Sequence, residues 1–260
     1  MKGTIIVATH KEYAMPTDSV YLPVYVGKDE MLEKKYITDR TGENISHMNS
    51  TYCELTAVYW AWKNLPNDKR DFVGLAHYRR HFTLHRKAKS LSEAITGKEV
   101  SMLFNESDDG TIITIPVTKY PMSIEKHYVH SEHGYEQIQS NDIQVLRDTI
   151  KHYYPQYSAA LEKVLGGKCA HMKNMFIMRN HDFDKYCEWL FGVLEIVVKE
   201  NGKRVDQRRY AGAMSEFLLD VWCIKNNKTI REVCLLEPEY SLKKKILKYV
   251  KIYIKRIMKD

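Results

Sequence analysis

Asp71-Phe72-Val73-Gly74-Leu75-Ala76-His77-Tyr78-Arg79-Arg80-His81-Phe82 is a short apolar run that ends abruptly in cationic and aromatic side chains. A continuous apolar run of this kind is what a strand buried on both faces of a parallel sheet requires. Open α/β sheets take their ligands in the crevice beyond the strands' carboxyl ends. The stretch therefore predicts a buried strand that delivers His77, Tyr78, Arg79 and Arg80 to a site. An arginine fork fits phosphate oxygens through two hydrogen bonds and stays charged at any working pH. A phosphorylated ligand is the expectation; the alternative is surface arginines paired with nearby acids.

Outward from this stretch, residues 4–9 and 20–26 predict two more strands, rich in β-branched residues and closed by Gly27. Residues 39–49 are polar and turn-rich and predict a loop. A helix is expected over 50–64, because Leu55, Val58, Tyr59 and Trp62 share a face and Pro66 lies just beyond. Ser50 is its expected cap, and Glu54 is either a first-turn acid facing the helix dipole or a ligand-binding group. Further strands are expected over 111–117 and 174–178, and helices over 141–151, 158–165, 182–199 and 208–222. Strands alternating with helices imply an α/β fold with a mainly parallel sheet. Residues 1–240 are expected to form one domain, with 241–260 as an appended tail.

The chain has 260 residues, enough to bury a substantial core. Its five cysteines show no metal-ligand spacing and are too sparse for a disulfide scaffold, as in a reduced cytoplasmic protein. No stretch is long and apolar enough for a signal peptide or a membrane span. The net charge of +7 is concentrated at one end: residues 242–260 hold eight basic residues and a single acid, Asp260. Removing these from the totals of 40 basic and 33 acidic residues leaves 32 of each sign, so the body is neutral and nucleic acid is not an expected partner. In the tail, Leu242, Ile246, Tyr249, Val250, Tyr253 and Ile257 share one helical face and lysines fill much of the rest. Such a helix, from Leu242 to Lys259, suits an anionic membrane surface, or docks its stripe on the body.

Gly-rich phosphate loops of the P-loop and dinucleotide kinds are missing, as is a nucleophile elbow, which removes most support for hydrolase and oxidoreductase classes. His127, His130 and His133 stand three apart, but on a helix the first and third diverge by about 120 degrees, a poor metal geometry. A group transfer from a diphosphate donor needs cations or donors on the diphosphate and a carboxylate to accept a proton. His77, Arg79 and Arg80 can meet the first need. Glu216, with Asp220 as the weaker candidate, can meet the second; the competing role for Glu216 is an acid near a helix start.

Several motifs together carry a resemblance: Gly42-Glu43-Asn44-Ile45-Ser46, Asn49, the run from Cys53 to Asn64, Gly74 to Arg80, Asn174 to Met178 and Tyr186 to Phe191. They resemble a bacterial family long filed as a domain of unknown function, whose members sit among capsular and exopolysaccharide glycosyltransferases. The resemblance runs from about Thr4 to Val233 and implies a GT-A-like transferase using a nucleotide-sugar donor. By that similarity, Thr9, His10, Lys11 and Gly27 line the nucleotide pocket, with Asp39, Asn44 and Asn49 near the donor. Glu54, His133, Asn174 and Arg209 are expected around the sugar or acceptor. His77 to Arg80 stands where many GT-A enzymes carry an Asp-x-Asp metal motif. Its absence implies that fixed cations rather than Mn or Mg neutralise the diphosphate, although His77 can still ligate a metal. Arg209, Gly212, Ser215 and Glu216 match the family's C-terminal motif, with Phe217 where that pattern has Arg.

The implied activity is hexosyl transfer with inversion, Glu216 acting as base, from a UDP-sugar such as a galactose or galactofuranose donor. The implied acceptor is a lipid-linked oligosaccharide at the inner face of the membrane. A catalytically silent sugar- or nucleotide-binding component of a polysaccharide assembly complex is the alternative.

Overall fold

A computed structural model describes residues 1–28, 30–66, 70–130, 138, 140–202 and 209–238. The strands among them are β1 Gly3–Thr9, β2 Tyr21–Tyr25, β3 Ile37–Thr38, β4 Phe72–His77, β5 His81–Thr83, β6 Thr111–Thr114, β7 Thr118–Lys119, β8 Cys169–Ala170, β9 Phe176–Arg179, β10 Thr229–Glu232 and β11 Cys234–Leu236. Seven of them form one sheet in the order β10-β6-β9-β4-β1-β2-β3. β4 lies at its centre, parallel to β1 and antiparallel to β9, which also runs antiparallel to β6. The remaining pairs are parallel, so the sheet is mixed but mainly parallel, as expected.

Both faces of the central strands are covered, which explains their unbroken apolar sequences. Successive side chains point to opposite faces. Ile6, Ala8, Val73 and Leu75 accordingly enter the larger core, with Phe183, Leu190 and Leu218 from helices Asn180–Asn201 and Tyr210–Lys225. Ile5, Val7, Phe72 and Ala76 enter a smaller core with Val100 and Phe104 of helix Gly97–Asn105. That helix is secured by a capping box, Thr96 and Glu99 each satisfying the other's backbone N–H.

The structure alters three expectations. The helix expected over 50–64 is broken into Asn49–Tyr52 and Leu55–Asn64, and Ser50 does not cap either piece. Asn174, expected to open a strand, takes a left-handed conformation (φ 52°) just before β9. Glu216 is the seventh residue of its helix, beyond the first turn where an acid would chiefly answer the helix dipole. The tail from 241 onward and His133 lie outside the described residues. Among the described residues no helix is long and apolar enough to cross a membrane.

Candidate functional site

A cavity of about 600 Å³ opens where β1, β2 and β4 end. β4 closes in a tight turn in which His77 and Arg80 exchange backbone hydrogen bonds (3.1 and 3.0 Å), leaving Tyr78 and Arg79 at the tip. The Arg79 guanidinium lies 4.9 Å from the Tyr78 ring centroid, and no carboxylate of a described residue pairs with it. Arg80 stands 3.5 Å from Glu237. His10, edge-on to Tyr78 at 4.9 Å, has its pKa lowered first by burial and then by Lys11, Arg79 and Arg209. Those cations make the mouth of the cavity electropositive, the condition an anionic ligand needs.

His77 is different from its arginine neighbours. Its Nε2 lies 2.6 Å from the Lys173 carbonyl and donates to it, and burial, the largest influence, lowers its pKa despite nearby Glu54. A neutral ring with its N–H already engaged orders the wall but adds no fixed charge.

The broken helix places the first carboxylate. Cys53 adopts φ 54°, ψ −129°, a conformation unfavourable to a non-glycine residue. Three donors converge on its carbonyl: Asn49 Nδ2 at 2.9 Å, Thr56 Oγ1 at 3.0 Å and the Thr56 backbone N–H at 3.2 Å. The kink turns Glu54 away from capping Leu55–Asn64, and Asn174 Nδ2 donates to its Oε1 at 2.8 Å. Asn174 also donates to the Gly212 carbonyl at 2.9 Å and accepts from Ser215 Oγ at 2.8 Å, tying the kink to helix Tyr210–Lys225. The approach is close at Gly212, where a Cβ would meet Cys53 Sγ and the Tyr52 carbonyl at 3.1 Å and push a neighbour by a few tenths of an ångström. Arg209 Nε donates to Cys53 Sγ at 2.9 Å. Burial pushes that thiol up to about 11, so it stays protonated and unreactive at neutral pH.

Glu216 is the second carboxylate. Tyr128 Oη donates to its Oε2 at 2.7 Å, and Phe217 packs edge-on against the Tyr128 ring at 5.3 Å. The aromatic at 217 thus braces the phenol that holds Glu216. Burial raises the Glu216 pKa above the glutamate range, the Tyr128 hydrogen bond opposes that, and Glu54 adds to it. A carboxyl held above its ordinary value at the wall of a cavity is suited to proton transfer near neutrality. Asp220, one turn further along, does not line the cavity: His171 Nδ1 lies 2.6 Å from one of its oxygens and the His171 backbone N–H 2.9 Å from the other.

Of the expected site residues, His10, Gly27, Asp39, Asn49 and Glu54 line this cavity. His77, Tyr78, Arg79, Arg80, Arg209 and Glu216 do so as well. Asp39 is 1% exposed, burial raises its pKa, and its Oδ2 is buried without a hydrogen-bond partner among the described residues. Thr9, Lys11 and Asn44 are not among the lining residues. Thr9 Oγ1 donates to the Lys11 carbonyl at 2.6 Å and shapes the turn after β1, and Asn44 bonds Ser46 and the carbonyls of Arg40 and Gly42 within its own turn. Asn174 lies behind the wall and holds it. Lys28, Arg40, Ser50 and Cys53 line the cavity without having been expected there. Arg40 had a visible signal, lying beside Asp39 in a polar loop. Tyr128 had none, since it is distant in sequence from Glu216.

Among the described residues no group of three or more His, Cys, Asp or Glu side chains is arranged to hold a metal ion. His77 has one carboxylate nearby, Glu54 at 4.0 Å, and His127 stacks on Tyr120 at 3.8 Å. A divalent ion in this cavity would have to draw much of its shell from the phosphate oxygens of a bound ligand.

The chain is similar to a solved apo structure of WbbM, a bifunctional glycosyltransferase, at 25% identity and a TM-score of 0.73. The match covers 92% of this chain and 46% of that one, so the chain spans under half the length of the protein it resembles. The mixed sheet is thus the fold of part of a glycosyltransferase. A comparison with curated proteins found no match. Residues 4–228 match the model of a domain of unknown function, DUF4422, and the chain belongs to that family.

Proposed function

We propose that this chain is a nucleotide-sugar-dependent glycosyltransferase. One observation carries the reading: a single cavity brings Arg79 and Arg80 together with Glu216, a buried-side carboxyl raised above its usual range and held by Tyr128. Similarity to a bifunctional glycosyltransferase supports it. Arg79 and Arg80 hold the diphosphate and stabilise the charge that grows on it as it leaves, a charge-assisted contact fixed before the reaction begins. Glu216 takes the proton from an acceptor hydroxyl. That oxygen bonds to the anomeric carbon as the carbon–oxygen bond to the diphosphate breaks, and the configuration inverts. His77 and Asn174 keep Glu54 and the wall in register.

The finer reading is transfer of a hexose, galactose or galactofuranose from a UDP donor, to a lipid-linked oligosaccharide in capsular or exopolysaccharide synthesis. The eight basic residues of 242–260 favour an acceptor at an anionic membrane surface on the cytoplasmic side. A panel of UDP- and GDP-sugars, with lipid-linked acceptors and with either Mn²⁺ or EDTA, tests this. The expected result is turnover of one UDP-hexose that persists in EDTA. Donor binding without turnover across the panel would overturn the transferase in favour of a silent binding component.

A further inference from the structure

β5 runs into an exposed, strongly basic loop, Leu84-His85-Arg86-Lys87-Ala88-Lys89. We propose that this loop docks on an anionic lipid surface and turns the mouth of the transfer cavity toward it.

The loop offers positive charge that the body does not neutralise. Arg86, Lys87 and Lys89 are exposed, and none of them pairs with a carboxylate of a described residue. Glu93, the only acid between Leu84 and Lys98, is taken up by the backbone: its Oε2 accepts from the N–H groups of Lys89 and Ser90 at 2.9 and 3.0 Å. An apolar side chain stands among these cations, since Leu84 is 40% exposed. A bilayer interface suits that combination, because its acyl boundary takes the leucine while its anionic headgroups meet the cations. A polyanion without an apolar layer gives Leu84 no partner. The loop also has its shape before any partner arrives. Thr83 Oγ1 donates to the Glu93 carbonyl at 2.6 Å and accepts the His85 N–H at 3.2 Å, and the Ala88 N–H donates to the His85 carbonyl at 3.2 Å. Little ordering entropy is then lost on docking.

The place of the loop in the fold gives the docking a consequence. β11 pairs with β5, setting Leu236 opposite His81, and Leu84 lies three residues beyond His81, roughly 10 Å at the rise of a strand. Glu237, the next residue after β11, stands 3.5 Å from Arg80, which lines the transfer cavity. The basic stretch 242–260 thus begins six residues after a strand that flanks both the loop and the cavity mouth. Tyr78 of the cavity, Ala88 of the loop and Leu235 of β11 are partly buried against the same smaller core. A tail alone tethers the body and leaves it free to turn; a second contact made by the body fixes which way the cavity faces. Docking of this kind does not depend on turnover, so a chain without transferase activity would bind in the same way.

The test uses the full chain with Cys169→Ser and Cys234→Ser, which leaves only buried cysteines. A polarity-sensitive dye is attached through Leu84→Cys or, as a control, through Tyr153→Cys, an exposed position at the end of helix Ser140–Tyr153. On phosphatidylcholine vesicles that contain phosphatidylglycerol, the dye at position 84 should brighten and shift to the blue, and added salt should reverse the change. The dye at position 153 should stay as it is. Arg86→Gln, Lys87→Gln and Lys89→Gln combined should weaken vesicle binding about hundredfold, at the usual worth of a basic residue near an anionic bilayer. No binding to anionic vesicles, an equal shift on phosphatidylcholine alone, binding with position 84 silent, or undiminished binding of the triple variant would each overturn the proposal. An equal shift with duplex DNA in place of vesicles would overturn the lipid partner in favour of nucleic acid.

Discussion

Glu216 and Asp220 sit one turn apart on the same helix and have opposite surroundings. Glu216 borders an open cavity, and burial, with a smaller push from Glu54, raises its proton affinity against the opposing Tyr128 hydrogen bond. Asp220 is clamped by His171, whose other ring nitrogen lies 3.2 Å from Glu232 of β10. Burial works to lower the His171 pKa, but the two carboxylates outweigh it and the net shift is upward. The first carboxylate has one hydrogen-bond partner and faces the cavity; the second is paired through both oxygens and ties the helix to the sheet edge. On the proposed function, the same residue class on one helix divides into chemistry and scaffold according to what surrounds it.

The sharpest way to break that contrast is to remove each charge alone. Glu216→Gln should lower turnover by about 10²–10⁴-fold, the usual worth of a positioned base, while leaving donor binding and thermal stability nearly unchanged. Asp220→Asn should do the reverse, destabilising the fold by about 3 kcal/mol in a chemical denaturation series with little change in turnover per folded molecule. Stability lost in the first variant and turnover lost in the second would invert the assignment.

Next in size, Arg79→Ala should weaken donor binding by roughly 10–100-fold in calorimetry, the loss of a charge-assisted contact. The same change should leave affinity for a free sugar without diphosphate unaltered. Smaller effects follow from the titrations. A base held above the ordinary glutamate value of 4.5 gives a turnover rate that falls as pH drops through that raised value. Tyr128→Phe removes the hydrogen bond that opposes the rise, so the acid limb of the pH–rate profile should move to higher pH. For His171 the sign runs the other way with respect to stability. Its raised folded pKa gives stabilisation that is complete below 6.5, the unfolded value, and fades as pH climbs through the folded value. Melting temperatures measured across that range should converge between wild type and Asp220→Asn as pH rises.

Much of this was legible from residue order. The apolar run into His77-Tyr78-Arg79-Arg80 announced a buried central strand and its cationic end, because burial on both faces leaves no alternation to misread. The direction of β9 was not legible, since an apolar run is equally compatible with parallel and antiparallel pairing. The kink at Cys53 carries neither Gly nor Pro, and is held by Asn49 and Thr56 side chains whose effect depends on distant packing against Gly212. Tyr128 reaches Glu216 only through the tertiary fold. The His171 clamp is hidden from the sequence for the same reason: its partners come from a helix and an edge strand well beyond it in the chain.

The most direct test of Glu216 as a base acting in a single displacement is the configuration of the product. Following the anomeric proton by NMR during early turnover of the active donor should show the configuration opposite to that of the donor sugar. Retention would contradict direct attack by a Glu216-activated hydroxyl and remove the role assigned to that carboxylate.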